Sequence, residues 1–283
     1  MKSWKEIIRH NTFRYIDHAE EKVFNDEAYT ALSSFAIDDT LALSVSDNTS
    51  APAVRLWIHP ETVVLGIPDA RLPYIEEGVQ LLTEQGYQVI VRNSGGLAVA
   101  LDEGVLNISL VLPGVRNISI LECYEAMVSF VQYMLQDLTG EIEAYEIVGS
   151  YCPGDYDLSI GGKKFAGISQ RRVKDGAAIQ IYIDVEGNGA KRASMIREFY
   201  EISTKNEETK FTYPVVDPTT MASLSELLEE KITIHDMKSR VRFALEELSE
   251  SIVSPAFTRE ELETFQKRLD QMKKRNEKIA EMQ

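Results

Sequence analysis

Two adjacent glycines, Gly161 and Gly162, separate the short extended runs 157–160 and 163–166. A Gly-Gly pair suits a two-residue hairpin turn in which both positions need φ > 0, a conformation other residues adopt only at a cost. That turn sets a register: Ile160 faces Lys163, Ser159 faces Lys164, Leu158 faces Phe165 and Asp157 faces Ala166. Alternation then gathers Leu158, Ile160 and Phe165 on a core face, and Asp157, Ser159 and Lys164 on a polar one. The polar face holds an ammonium within reach of a carboxylate. Just upstream, Tyr151-Cys152-Pro153-Gly154 forms a loop in which Pro153 removes a backbone donor and Gly154 permits unusual backbone angles. The expectation is a Cys152 thiolate paired with the Lys164 ammonium.

A thiol with a reference pKa of about 8.5 is only slightly ionised at neutral pH, so a nucleophilic cysteine needs a base or a cation beside it. The four histidines are His10, His18, His59 and His235, and none stands in a segment resembling a Cys-His arrangement. Lys164 is the better candidate, because Lys163 shares its face with Ile160 and points away. The other cysteine, Cys123, falls on the stripe Ile120, Cys123, Tyr124, Met127, Phe130, Val131 and Met134, whose helical spacing makes it a packed, inert side chain.

The formal net charge of −15 argues against general affinity for nucleic acid or anionic membrane. With two cysteines, a disulfide framework or a four-cysteine metal site is excluded, and a reducing compartment is expected. No apolar leader region and no long uncharged apolar run occurs, so the expected location is cytoplasmic. Neither a phosphate-binding loop ending in Lys-Ser/Thr nor a metal-spaced His/Cys/carboxylate cluster is present.

Periodicity and turn residues predict helices over 25–45, 73–85 (closed by Gly86), 118–138 and 190–202. Strands are predicted at 54–59 and 62–67, as a hairpin about His59-Pro60, then at 87–92, 97–101, 105–112, 141–147, 168–172 and 177–184. Capping boxes at Ser223/Glu226, Thr233/Asp236 and Thr258/Glu261 announce three further helices. The last carries Leu262, Phe265, Leu269, Met272, Asn276 and Ile279 in three and four steps, expected to pack on the helix before it. The fold class is α+β, a mixed, largely antiparallel sheet flanked by helices with a helical C-terminal region. The expected division is an N-terminal extension over 1–34, irregular or partly helical to about Glu21, a catalytic domain over 35–250 and a C-terminal helix over 251–283.

Asp157-Leu158, Gly162-Lys163-Lys164-Phe165-Ala166-Gly167 and, upstream, Arg92-Asn93-Ser94-Gly95-Gly96-Leu97-Ala98-Val99 together resemble the biotin and lipoate protein ligase superfamily. Within it the chain looks most like the cysteine-containing octanoyltransferases of lipoate assembly. The resemblance implies a class II synthetase-like catalytic domain. It implies transfer of an octanoyl, or lipoyl, group from the lysine of a glycine cleavage H protein to lysines of lipoyl domains of 2-oxoacid dehydrogenases. Cys152 would carry the acyl group as a thioester, with Lys164 beside it. Arg92, Ser94, Gly95 and Gly96 would lie against the acyl carbonyl, and Asp157 would share the polar face. Backbone donors for the oxyanion would come from Gly154 and from Ala166 and Gly167. The helix containing Ser34 to Leu41 would line the acyl pocket; Trp57, Leu65, Val99 and the strand Leu106 to Leu110 are candidates for its walls. Neither ATP nor metal is required if donor and acceptor are both lysine amides. The sequence departs from lipoate ligases at Leu97, which replaces a third glycine, and in having a single arginine there. An acyl carrier protein donor, an ATP-dependent ligase and a non-catalytic binder of acylated domains remain alternatives.

Overall fold

The computed structural model describes residues 3–283. Its centre is an eight-stranded mixed sheet in the order β13-β1-β4-β8-β12-β11-β10-β9. The long antiparallel middle consists of β4 (Ala53–Trp57), β8 (Val105–Pro113), β12 (Gly176–Asp184) and β11 (Lys163–Val173). On β8 and β12, alternation sends Leu106, Ile108, Leu110, Leu112, Ala177, Ile179, Ile181 and Ile183 to one face. That face packs on α1 (Trp4–Ile8), α4 (Ile120–Met134) and α7 (Ile234–Leu248). The opposite face presents Asn107, Ser109, Gln180 and Tyr182 towards α2 (Ala31–Ser46), and it is the face that carries the cavity described below.

Helix α2 is buried between the sheet and α8 (Arg259–Ala280), with Phe35, Ile37, Leu41, Asp38 and Thr40 all inaccessible. A helix enclosed on all sides lacks a polar face, which explains its incomplete sequence periodicity. It begins later than predicted because Asn25 and Asp26 both adopt positive φ. They turn a short hairpin, β2 (Val23–Phe24) and β3 (Glu27–Ala28), ahead of it.

The two ends of the chain both join the large sheet. The segment read as an irregular extension supplies β1 (Thr12–His18), which pairs parallel with both β4 and β13 (Ser251–Val253); the first two residues of that extension lie outside the described residues. Arg14 in β1 is buried on Glu261 at 2.6 Å, 247 positions away. Only tertiary contact can reveal such a partner.

The predicted 54–59/62–67 hairpin also does not form. β4 stays in the large sheet, while β5 (Thr62–Leu65) joins a second sheet with β6 (Gln88–Val91), parallel, and β7 (Val99–Leu101), antiparallel. Helix α3 (Ile75–Glu84) precedes β6 and is closed by Gly86 at φ +87°. Helix α8 packs on α2 and β6, not on α7. Its Asn276 accepts the Val91 N–H at 2.6 Å and donates to the Val91 carbonyl at 3.0 Å, sealing the edge of β6. The strand predicted over 141–147 shortens to β9 (Glu143–Ala144). Helices α5 (Gly189–Thr204) and α6 (Leu224–Leu227) complete the chain, and all three capping boxes are formed.

Candidate active site

The Gly161-Gly162 turn joins β10 (Leu158–Ile160) to β11 with φ of +57° and +76°, and Ser159 faces Lys164 as the sequence dictates. One correction follows at the next step. A bulge between Leu158 and Ser159 sets Leu158 opposite Ala166 instead of Phe165. Leu158, Ile160, Phe165 and Ala166 enter the apolar core, whereas Lys164, Ser159 and Asp157 form a buried polar cluster.

Within that cluster, Lys164 Nζ lies 2.8 Å from Asp157 Oδ1 with both side chains enclosed. Nζ also donates to the carbonyl oxygens of Tyr151 (2.9 Å) and Cys152 (2.8 Å). Asp157 Oδ2 accepts from the N–H groups of Gly154 and Ile147. Burial pushes the Asp157 carboxyl above its ordinary range, against the pull of Lys164. Together the pair clamps the loop that presents Cys152, whose φ of +47° is left-handed and costs about 1–2 kcal/mol for a non-glycine residue. The clamp holds that strain in place.

The Cys152 sulfur has different partners from the one the sequence suggested. Leu97 N–H donates to Sγ at 3.1 Å and Arg92 Nη2 at 3.4 Å, while no hydrogen bond joins Lys164 Nζ to the sulfur. The ammonium is drawn to the backbone and to Asp157 because those oxygens surround it on the inner side of the loop. Gly96, at φ +100°, allows Arg92 and the sulfur to meet: a Cβ there would stand 2.2 Å from Nη2 and 2.9 Å from Sγ. The Gly154 N–H, expected to face an oxyanion, is engaged by Asp157. Ala166 is buried in the apolar core opposite Ile183, and Gly167 lines the cavity.

Cys152 opens into a cavity of about 230 Å³ whose walls include Arg92, Gly95, Gly96, Tyr124, Tyr156 and Tyr182. A narrow inner extension of about 30 Å³ continues between Phe35, Trp57, Val64, Leu101 and Ile181. The two share Arg92, Val99, Gly167, Ser169 and Tyr182. Of the expected pocket walls, Trp57, Val99 and Asn107 line this inner end; Leu106, Ile108 and Leu110 face the other core, and Leu65 packs beside β6. From α2 only Phe35 reaches it. Ser94 is buried, and its hydroxyl meets Ser169, which bonds Gln180 and through it Asp38. Leu97 and Tyr182 were missed by sequence reasoning: the first acts through its backbone, and the second reads as an ordinary strand residue.

No histidine touches Cys152 among the described residues. His18 and His59 are buried, and burial, aided by Arg55, pushes both down to about 3. Cys123 is fully enclosed, and burial raises its thiol. Among the described residues no group of three or more His, Cys, Asp or Glu side chains is arranged to hold a metal ion, and no helix is long and apolar enough to cross a membrane.

A mixed sheet flanked by helices, with a cysteine opening into a cavity on one face, has the architecture of the lipoate ligase fold. The chain belongs to the family described as lipoyl protein ligase A/B catalytic domain, which matches residues 30–246. It is 63% identical over 277 residues to the octanoyl-[GcvH]:protein N-octanoyltransferase of Oceanobacillus iheyensis, covering 98% of this chain and 99% of that one. It is 45% identical over 274 residues to the lipoyl-[GcvH]:protein N-lipoyltransferase of Listeria monocytogenes, covering 96% and 97%. Among solved structures, lipoate-protein ligase A bound with ATP superposes with a TM-score of 0.67 at 16% identity, covering 92% of this chain and 94% of that one. That last likeness concerns the fold alone.

Proposed function

We propose that the protein transfers an octanoyl group from the lysine of a glycine cleavage H protein to lysines of lipoyl domains, through a thioester on Cys152. The observation that carries this reading is the placement of the Cys152 sulfur, in a left-handed turn, where a surface cavity narrows into an apolar slot. The relatives' names supply the donor, and the cavity of about 230 Å³ beside Cys152 offers the room for an acyl group, the inner slot of about 30 Å³ being the size of one water molecule.

In the first half-reaction the sulfur adds to the donor amide carbonyl. The carbon–nitrogen bond then breaks, and the proton that began on the thiol ends on the departing lysine amine. In the second, an acceptor amine adds to the thioester, the carbon–sulfur bond breaks, and the amine's proton returns to sulfur. One amide is consumed and one formed, so the exchange is near balance and needs no ATP. Leu97, in place of a third glycine, supports this, since its N–H is occupied by the sulfur. Lys164 and Asp157 hold the nucleophile's turn, and Gly95 and Gly96 border the cavity that takes the acyl group, whereas Ser94, expected there, is buried against Ser169 and does not line it. The unpaired cysteines accord with a cytoplasmic setting.

The test is intact-mass analysis of the purified protein mixed with octanoylated H protein. A mass gain of one octanoyl group on wild type, absent in Cys152→Ser and discharged by a lipoyl domain, is the expected result. An unmodified wild-type protein that still transfers label would overturn the thioester route. Dependence on free octanoate with release of AMP would replace the reading with that of a ligase.

A further inference from the structure

Two adjacent apolar side chains stand in solvent at the start of α4. Ile120 is 50% exposed and Leu121 55%. Ile120 keeps the spacing of the stripe Cys123, Met127, Phe130 and Met134, yet burial along that stripe begins only at Cys123. The turn that carries the two residues is firmly held. Ser119 Oγ accepts the Glu122 N–H at 3.0 Å, and the Glu122 carboxylate accepts the Ser119 N–H at 2.9 Å, so the apolar ledge is presented at a fixed angle.

This ledge runs into the Cys152 cavity. Leu121 is one of the cavity walls while more than half exposed, and Tyr124 and Tyr156, with ring centroids 5.3 Å apart, continue the apolar surface inwards. Gly95 and Gly96, exposed and without side chains, leave another part of the rim low. Among the described residues that line the cavity three are charged: Arg92 and Asp157 are buried, and Asp155 is exposed. The mouth thus offers an incoming surface apolar contact and one carboxylate. A scattered exposed leucine needs no explanation, but an apolar ledge continuous with a reactive cavity marks a surface that a partner covers. A lysine side chain is short, so an acyl-lysine whose carbonyl reaches the Cys152 sulfur brings the body of its protein down on this rim. The acceptor's free lysine is a cation that Asp155 complements; the donor's acylated lysine carries no charge.

We infer that Ile120 and Leu121, with Asp155 on the same cavity rim, form the docking face for the domains that carry the reacting lysine, a reading that rests on the proposed acyl transfer and places its protein substrates. Donor and acceptor use this face in turn. Because one rim serves both, the two exclude each other, and the acyl group left on the enzyme is what passes between the visits.

Binding is read apart from chemistry by calorimetry on the full-length Cys152→Ser protein, with octanoylated H protein and with unmodified lipoyl domain. Adding Leu121→Glu should weaken both at least about tenfold, because a charge is forced into an apolar contact. A carboxylate in the first turn of a helix favours the fold, so the loss is one of docking. With Cys152 restored, Leu121→Glu should raise KM for both partners while kcat stays within about threefold of wild type. Asp155→Asn should weaken the lipoyl domain about threefold and the octanoylated donor less. Phe243→Glu, at an equally exposed apolar position on α7, is the control and should change neither. If a thermal melt shows that Leu121→Glu does not fold, Ile120→Ser must give the loss of binding. Undiminished binding by these rim variants, a fall in kcat with KM unchanged, or simultaneous binding of both partners overturns the docking face; equal losses in Asp155→Asn would strike the carboxylate from it. Absence of an octanoyl adduct on wild type would instead sink the proposed function, and binding lost in Leu121→Glu would still seat these partners on the rim.

Discussion

Lys164 meets the carbonyl oxygen of Cys152, at 2.8 Å, and not its sulfur. Its hydrogen bonds run to the backbone of the turn and its ion pair to Asp157, and it is fully enclosed. Lys164→Met alone leaves an uncompensated buried carboxylate and should cost about 3–5 kcal/mol in denaturant unfolding, with loss of transfer activity. Adding Asp157→Asn should restore most of the stability. A single variant as stable as wild type would show that the pair is not the clamp described.

If the acyl tail enters the inner slot, residues lining it should set which tails are accepted. Val64 pairs with Val99, and both line the slot. Val64→Phe should lower kcat/KM for an octanoylated donor at least about tenfold, the worth of roughly two methylenes denied burial, while sparing a butanoylated donor. Equal losses on both donors would place the tail elsewhere.

Asp69 gives the stability a pH signature. Burial raises its carboxyl from 3.8 to about 6, even though Gly66 and Tyr200 donate to it. Between these values the folded state keeps a proton that the unfolded chain has released, so stability falls as pH rises from about 4 to above 6, by about 3 kcal/mol in all. Urea unfolding of wild type and Asp69→Asn across that range should show the wild-type free energy falling relative to the variant's by about 3 kcal/mol as pH rises, because only wild type loses the increment. Parallel curves would remove Asp69 as the cause.

Asn276 seals a strand edge from a helix. Asn276→Leu preserves volume but leaves the Val91 N–H and carbonyl unmatched, a cost of about 2–4 kcal/mol. Hydrogen exchange at Val91 should accelerate with the fall in unfolding free energy; unchanged protection would mean that another group covers the edge.

The local signals in the chain were sufficient for its local structure. Gly161 and Gly162 specified a turn that forms with both φ positive, and Ser223, Thr233 and Thr258 each start the helix that their capping partners announce. The pairing of Ser159 with Lys164 was legible because a strand's alternation is fixed over a few residues. What the sequence could not determine were relationships spanning long separations. Arg14 needed Glu261 to become a buried strand residue, β4 and β5 parted into different sheets, and Asn276 found Val91 in place of another helix. The same holds at the site. Sixty positions separate Arg92 from Cys152, and only the closing of the Gly95-Gly96 corner against the clamped turn puts the guanidinium on the sulfur and leaves Lys164 to the backbone. Local propensity decides which elements form; the burial of charge, which can be satisfied only when distant elements close on one another, decides which cation meets which anion.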